Sequence, residues 1–536
     1  MSNFSKLARQ RTTYIALIIA SYGLLYGLDT ATTAVAIPAL KGDFRLDSLQ
    51  IEFICASTML GAICGLIFMI TLGNKWGRRL ALLVDSSVYI VGFLLTAMSS
   101  SFYMCIVGRA IIGVAHGIST MIAPVFIGEI SPKAHRGLFI TFNMVGINVG
   151  MLGGFILCWI ATLATLNNSW RWVFALCAVS SLILLVLMVL FVPNSPRDLI
   201  FRNRVDEASK VISMLNGPAT WDAAEVRREI DAIADVIQSE KCASFRQLFS
   251  RANARPLAIA CILQAAKQSS GFSSLQYFSA YLFQVIGVSG SSRFTQAPTV
   301  ILSCVQVASV LTSLGVVDRI GRKRLLLISF VAMAVGLVVL GGAFVTITGF
   351  EQINKADCTL YTRCGACLLD TSCGWAAAEG ICLARSAGST TAVVFSESCQ
   401  MHFAREHIGS WLAVISIIFS LGTFTLGLGS IPWVIQSEIF CQAMRSRASG
   451  VAAIFNWLFS YTWTVSFLQL AFNITLPGVF WFYAALMCST IGSIFWMIPE
   501  TSGKSLEEIT VELRSASLLH REKHTPQGPT TALEYT

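Results

Sequence analysis

Asp29, Arg109 and Lys267 stand deep inside long apolar runs, the three residues formally charged at neutral pH that do so. A charge at the centre of a bilayer costs about 3 kcal/mol or more unless it pairs or faces a water-filled cavity, so each is a functional candidate. A carboxyl group held by a neighbouring guanidinium favours its ionised form, and one buried without such a partner favours its protonated form. An acid of this kind, in a segment that moves, takes up a proton in one arrangement and yields it in another. Asp85 also lies within an apolar run, but about one turn from its basic end, where Arg78, Arg79 or water is expected within reach. His116 lies mid-run among Gly113 and Gly117, where packing is a more natural role than proton relay.

The runs that hold these residues dominate the chain. Of 536 residues, 55% are hydrophobic and 12% charged, and the mean hydropathy is +0.68; soluble domains carry roughly 25% charge. The sequence reads as an all-α integral membrane protein, and disorder, a nucleic-acid module and a soluble enzyme are poor fits. The 38 Lys and Arg exceed the 29 Asp and Glu to give a formal net charge of +9. Basic residues in cytoplasmic connections set orientation in the bilayer, which accounts for the excess without nucleic acid.

A crossing helix needs about 20 mostly apolar residues. Six stretches qualify in the first half, near 13–36, 51–72, 80–100, 103–128, 138–163 and 172–192. Six more follow near 257–285, 298–317, 325–347, 410–437, 448–472 and 477–498. Lys6, Arg9 and Arg11 before the first span, Lys75, Arg78 and Arg79 after the second, and Arg319, Arg322, Lys323 and Arg324 after the eighth then share one side, which places both termini in the cytoplasm. The N-terminal run with Ala34 and Ala36 superficially fits a cleavable signal. Removing it would leave eleven spans and set the basic connections at odds with the N-terminal flank, so the first span is expected to stay. The chain thus divides into a six-helix bundle at 1–193, a linker at 194–255, a second bundle at 256–498 with an external insertion at 349–408, and a cytoplasmic tail at 499–536. Within the linker, 205–215 and 223–237 have helical apolar spacing and read as amphipathic helices beneath the bundle. The tail shows no lipidation signal.

The halves repeat one signature. Gly73-Asn74-Lys75-Trp76-Gly77-Arg78-Arg79 after span two answers Asp318-Arg319-Ile320-Gly321-Arg322-Lys323 after span eight. Glu129 with Arg136 after span four answers Glu438 with Arg445 after span ten. Further signatures are Pro193-Asn194-Ser195-Pro196-Arg197, Gly429-Ser430-Ile431-Pro432-Trp433, Asn456-Trp457 and Pro499-Glu500-Thr501-Ser502-Gly503. Together these resemble the sugar porter family of the major facilitator superfamily over nearly the whole membrane-embedded chain. The resemblance implies twelve helices in two pseudo-symmetric six-helix bundles, a substrate cavity between them and alternating access by rocking. It also makes Arg78, Glu129, Arg136, Asp318, Arg322, Glu438 and Arg445 a cytoplasmic gate whose Glu–Arg pairs form in one conformation and separate in the other; simple topology anchoring is the competing role. Asn74 replaces the family's usual Asp, so the first half's latch is expected to be the weaker.

Proton-coupled members resemble this chain in carrying Asp at the position of Asp29, and Arg109 occupies the place of the arginine that pairs with it. A static pair tying spans one and four is the alternative. By position in the family pattern, Lys267, Gln268, Ser273, Tyr277, Gln306, Trp433, Asn456 and Trp457 line the substrate site. Amides and phenols suit polyols because each hydroxyl needs donors and acceptors, and the Trp residues offer an apolar face with an N–H. Several positions depart from the pattern. Lys267 stands where a glutamine is usual, Ser273 and Gln306 where asparagine is common, and Met144 where a sugar-binding glutamine is usual. Standard glucose recognition is therefore in doubt, and Lys267 either contacts an anionic substrate or compensates Asp29. Gly427, Gly429 and Pro432, like Gly113, Gly117 and Pro124, mark bendable helices at equivalent places.

Of 16 cysteines, Cys358, Cys364, Cys367, Cys373, Cys382 and Cys399 lie in the external insertion. An even set outside the cell reads as three disulfides, with fifteen pairings open. Zinc competes through the Cys364 and Cys367 spacing, but there is no paired second site, so no metal is expected. Cys364-Gly365-Ala366-Cys367 followed by Cys373-Gly374-Trp375 resembles a plexin-type module, with Ala376 departing from it, and such an insertion resembles proton-coupled myo-inositol transporters. It offers a surface for an extracellular partner. Asn167 and Asn473 begin external glycosylation sequons close to the bilayer. The expected function is proton-coupled symport of myo-inositol or a related sugar or polyol in the plasma membrane, without enzyme activity or cofactor. A facilitative hexose uniporter and a non-transporting nutrient receptor are the alternatives.

Overall fold

In the computed structural model, residues 3–131, 136–164, 168–216, 223–242, 245–287, 296–349, 404–440 and 445–498 are described, with short pieces of the 349–408 insertion and Glu500. The first half supplies α1 (Asn3–Phe44), α2 (Ser48–Trp76), α3 (Arg78–Ala97), α4 (Phe102–Ile130), α5 (Arg136–Leu163) and α6 (Ser169–Phe191). The linker folds as α7 (Pro196–Phe201), α8 (Val205–Asn216), α9 (Ala223–Cys242) and α10 (Phe245–Leu248). Its apolar faces meet in a cluster that includes Leu199, Ala208, Ile212, Val226 and Ile230, and Thr12 donates to the Leu215 carbonyl at 3.0 Å, tying α8 to α1. The second half comprises α11 (Arg251–Gln268), α12 (Phe272–Ile286), α13 (Ala297–Ile320), α14 (Arg322–Thr348), α15 (Ala404–Thr423), α16 (Ile431–Glu438), α17 (Arg445–Val465), α18 (Phe467–Ile474) and α19 (Leu476–Met497).

Among the described residues, ten stretches are long and apolar enough to cross a membrane, and the α17–α18 pair adds another with a 46° bend. The remaining crossing, expected as one helix over 257–285, is broken between α11 and α12. Gly271 has a φ of 70°, a left-handed conformation, and a Cβ there would strike the Tyr483 ring. The adjacent hydroxyls serve the broken backbone: Ser269 donates to the Ala265 carbonyl at 2.9 Å, and Ser270 accepts from the Phe272 N–H at 3.3 Å. The tenth crossing is likewise interrupted, by a π-helical turn over Phe424–Leu428. Irregular backbone is tolerated at membrane depth where protein or a cavity surrounds it.

Within the first bundle α1 packs on α5, α2 on α4, and α3 on α4 and α6. Between bundles α2 meets α17, α5 meets α13, and α1 meets α12. Gly113 and Gly117, expected to let span four bend, are close-approach positions: a Cβ on either would run into the α2 backbone at Thr58 and Ala62.

The insertion contains an antiparallel sheet, β1 (Cys373–Ala376), β2 (Ile381–Ala384) and β3 (Phe395–Ser396), ordered β2-β1-β3. Disulfides join Cys358 to Cys373 and Cys367 to Cys382. Cys364 is also disulfide-bonded, and Cys399 lies outside the described residues. So do Asn167 and the tail beyond Glu500.

The repeated basic connections share a backbone device. Gly77 (φ 80°, ψ 158°) starts α3 and Gly321 (φ 91°, ψ 150°) starts α14. A carboxylate lies over each, Asp198 from α7 over Gly77 and Glu500 over Gly321. Glu500 accepts the Arg322 and Lys323 N–H groups, both at 3.2 Å, at the positive end of α14. This backbone region is essentially glycine's alone, with a cost of about 1–3 kcal/mol for other residues. Gly321→Ala should therefore lower the detergent-solubilised protein's stability by about that amount in a thermal-shift assay, and Gly77→Ala likewise.

Candidate functional site

A cavity of about 1090 Å3 lies between the bundles. It is lined at depth by Tyr26, Asn143, Asn148, Lys267, Gln268, Ser273, Trp433, Asn456 and Trp457, and it reaches Arg78, Glu129, Arg322 and Glu438 at the helix ends beside the basic connections. The broken seventh crossing puts Lys267 and Gln268 at the end of α11 and Ser273 at the start of α12, so three lining side chains arise from one interruption. Gln268 donates to the Asn456 carbonyl oxygen at 2.8 Å and accepts from Ser273 at 3.0 Å, and Ser273 also shares a 2.7 Å bond with Ser460. This chain of amides and hydroxyls presents donors and acceptors to a polyhydroxylated guest. The indole N–H of Trp457 is buried without a hydrogen-bond partner, and Met144 is part of the same wall.

Two expected lining residues stand behind the wall. Gln306 is fully buried, and its amide donates to Gln276 at 2.9 Å. Tyr277 is 2% exposed and belongs to the packed core. Neither contributes to the cavity surface.

Asp29 and Arg109 are both fully buried, and Arg109 Nη1 donates to Asp29 Oδ1, linking α1 to α4. The Arg109 guanidinium also lies 6.0 Å from the centre of the Phe174 ring. Neither member of the pair lines the cavity. His116, which the sequence suggests is a packing residue, lies with Nε2 3.7 Å from Asp29 Oδ2. Its ring is 4.7 Å from that of Tyr26 and stacks at 6.3 Å on Trp457, and both of those rings face the cavity. Both imidazole nitrogens are buried without a hydrogen-bond partner. Asp29 and Arg109 are thus one layer of rings away from the cavity, a relation visible only once α1, α4 and α17 are packed together.

Asp85 departs from expectation. It is fully buried with neither oxygen hydrogen-bonded, because its supposed partners are engaged elsewhere: Arg78 with Glu129 at 3.3 Å, and Arg79 with the Val189 carbonyl at 2.8 Å. Glu129 also accepts from Ser195 at 2.5 Å and faces Arg197 at 3.8 Å. In the second half Arg322 pairs with Glu438 at 2.8 Å. Each of these Arg–Glu pairs joins helices of the same bundle. The side chains of Asn74, Arg136, Asp318 and Arg445 lie outside the described residues.

At the opposite end a contact unmarked by any signature joins the bundles. Glu52, in the first turns of α2, is fully buried, and its Oε1 accepts the Leu468 N–H at 2.5 Å and the Gln469 N–H at 3.2 Å. These are orphan donors at the start of α18, just past the bend in the eleventh crossing. The sequence signal is a carboxylate at the beginning of an apolar run, which topology alone explains.

A family model described as sugar (and other) transporter matches residues 15–369 and 379–513. The chain is 30% identical to myo-inositol transporter 1 of Cryptococcus neoformans, covering 91% of this chain and 78% of the relative. It is 29% identical to the human proton myo-inositol cotransporter, covering 92% of this chain and 81% of that protein. Its fold is similar to that of the Escherichia coli xylose transporter, with a TM-score of 0.71 at 20% identity over 92% of this chain and all of the other.

Glu52→Ala leaves two buried N–H groups without their acceptor, a cost of about 1–3 kcal/mol borne only while this end is closed. An impermeant maleimide applied from outside should then label Cys55, buried one turn deeper, on the order of tenfold faster than in the parent protein. An unchanged labelling rate, read by peptide mass spectrometry, would show that Glu52 does not hold that end shut.

Proposed function

The chain belongs to the sugar transporter family, and from that premise we propose that it is a proton-coupled symporter of a small sugar or polyol, with myo-inositol the leading substrate, working by alternating access in the plasma membrane with both termini cytoplasmic. The observation that carries the proposal is the fully buried Asp29–Arg109 pair beside, but outside, the cavity. The names of the myo-inositol relatives support the substrate, and the amide and hydroxyl chain through Gln268, Asn456 and Ser273 supports recognition of a hydroxylated ring.

In this reading Asp29 is ionised while Arg109 holds it and accepts a proton when α1 shifts against α4 and draws the two apart. A guest resting on Trp457 touches a residue that also stacks on His116, which joins substrate occupancy to the environment of Asp29. His116 provides ring nitrogens on the route between Asp29 and the cavity-facing Tyr26. Arg78–Glu129 and Arg322–Glu438, each within one bundle, hold the helix ends at the mouth of the cavity together while the bundles rock. One charge crossing about 100 mV gains about 2.3 kcal/mol, enough to concentrate a neutral solute on the order of fiftyfold.

Purified protein in sealed vesicles, supplied with labelled myo-inositol and an inward proton gradient, tests the proposal. The parent should accumulate the label above equilibrium, and Asp29→Asn should reduce uptake to equilibration while preserving exchange between labelled and unlabelled solute. Uphill accumulation by Asp29→Asn would remove Asp29 from the coupling role, and gradient-independent uptake by the parent would favour a uniporter. His116→Phe retains a ring in the packed layer and removes the nitrogens. It should slow gradient-driven uptake by about tenfold with little effect on exchange at symmetrical pH.

A further inference from the structure

Lys267 is 7% exposed, lines the cavity, and has no ion pair or hydrogen bond through its ammonium group to any described residue. The ammonium lies 5.1 Å from the centre of the Trp433 ring and 5.9 Å from that of Phe424. Such rings attract a cation but cannot neutralise it. While the cavity is open, water solvates the charge. When the bundles close over a guest and exclude that water, an unmatched ammonium in the apolar interior must either give up its proton or find an anion on the guest, and an anionic guest keeps it charged.

We propose that this site also transports polyols bearing one carboxylate, of the uronate or aldonate class, with Lys267 receiving the carboxylate and the Gln268–Asn456–Ser273 chain receiving the hydroxyls. The inference rests on the proton-coupled reading above and adds to it a class of substrate. Charge counting favours such a guest. With Asp29 ionised and the cavity empty, Asp29, Arg109 and Lys267 carry one net positive charge. Adding a proton and a neutral polyol makes that two, whereas adding a proton and a monoanion restores it to one. The loaded and empty crossings then move the same charge, and uptake of the acid is electroneutral although uptake of a neutral polyol is not. A single ammonium matches a carboxylate better than a phosphate dianion, which would bring a second negative charge into the closed cavity.

The test uses purified full-length protein in vesicles with labelled D-glucuronate. D-Glucuronamide serves as the competitor that keeps the hydroxyls and size but removes the charge. Unlabelled glucuronate should compete with labelled myo-inositol at about one-tenth the concentration that glucuronamide requires. Labelled glucuronate should enter under a proton gradient without the current that accompanies a neutral substrate. Lys267→Gln should erase the preference for the acid over the amide, and Lys267→Arg should retain most of it. The arginine variant keeps the test informative if the glutamine variant fails to fold. Equal competition by the acid and the amide on the parent protein, or a preference that survives in Lys267→Gln, overturns the inference. Proton-driven uptake of myo-inositol together with exclusion of glucuronate would sink this inference alone. Loss of proton-driven uptake for every solute would sink the symport reading beneath it.

Discussion

The cost of an unpaired ion in an apolar bundle is the constraint around which this protein is organised. Asp29 and Arg109 meet that cost for each other across α1 and α4, and the helices carrying them are placed by close packing. Gly113 and Gly117 let α4 lie directly on the α2 backbone, and α1 lies along α5. Close packing of this kind gives bundles that move as bodies, because small residues leave little slack between helices. A rigid body carrying a charge pair cannot relieve the pair locally. A change in its partners must come from motion of helices.

The two halves handle the ends that carry the basic connections by the same construction. In each, a glycine in a conformation closed to other residues begins the third helix of the bundle, a carboxylate from beyond the sixth lies over that glycine, and an arginine one residue on pairs with a glutamate at the end of the fourth. Charges at these helix ends are shared among neighbours within one bundle, so each bundle keeps its own end intact while the other moves. The opposite end is different. There the Glu52 contact joins α2 directly to α18, using donors freed by the bend in the eleventh crossing.

Much of this was legible in the sequence, for identifiable reasons. The repeated Gly-Arg and Glu–Arg signatures carry the architecture because the glycine's backbone conformation is local and the same residue pattern recurs in both halves. Asp29 and Arg109 were conspicuous because charge is rare in hydrocarbon. The interruption of the seventh crossing was hidden because Ser269, Ser270 and Gly271 dilute an apolar run without ending it. Asp85 was misjudged because proximity along the chain does not reveal competition: Glu129, remote in sequence, takes Arg78. Gln306 and Tyr277 have suitable side chains at suitable family positions, but which face of a helix meets the cavity is fixed by the neighbouring helices. Glu52 and His116 carried no signature, since their partners come from α18 and α1 respectively.

Whether Asp29 and Arg109 form a fixed staple or a working pair can be argued from what they leave unmade. A buried ion pair is a poor staple, because well-packed apolar residues often serve as well or better. It is poorer still when incompletely satisfied, and here Asp29 Oδ2 and Arg109 Nε and Nη2 are buried without hydrogen-bond partners. A structural role would favour filling those positions with donors and acceptors. Instead Oδ2 faces an imidazole whose own nitrogens are unengaged, and that imidazole is packed between rings that face the cavity. Vacant capacity at the acid, at its cation and at the ring between them and the cavity is what a site needs if it is to exist in more than one protonation state. Several of the buried polar atoms left without a partner among the described residues therefore gather around Asp29, in the layer next to the cavity.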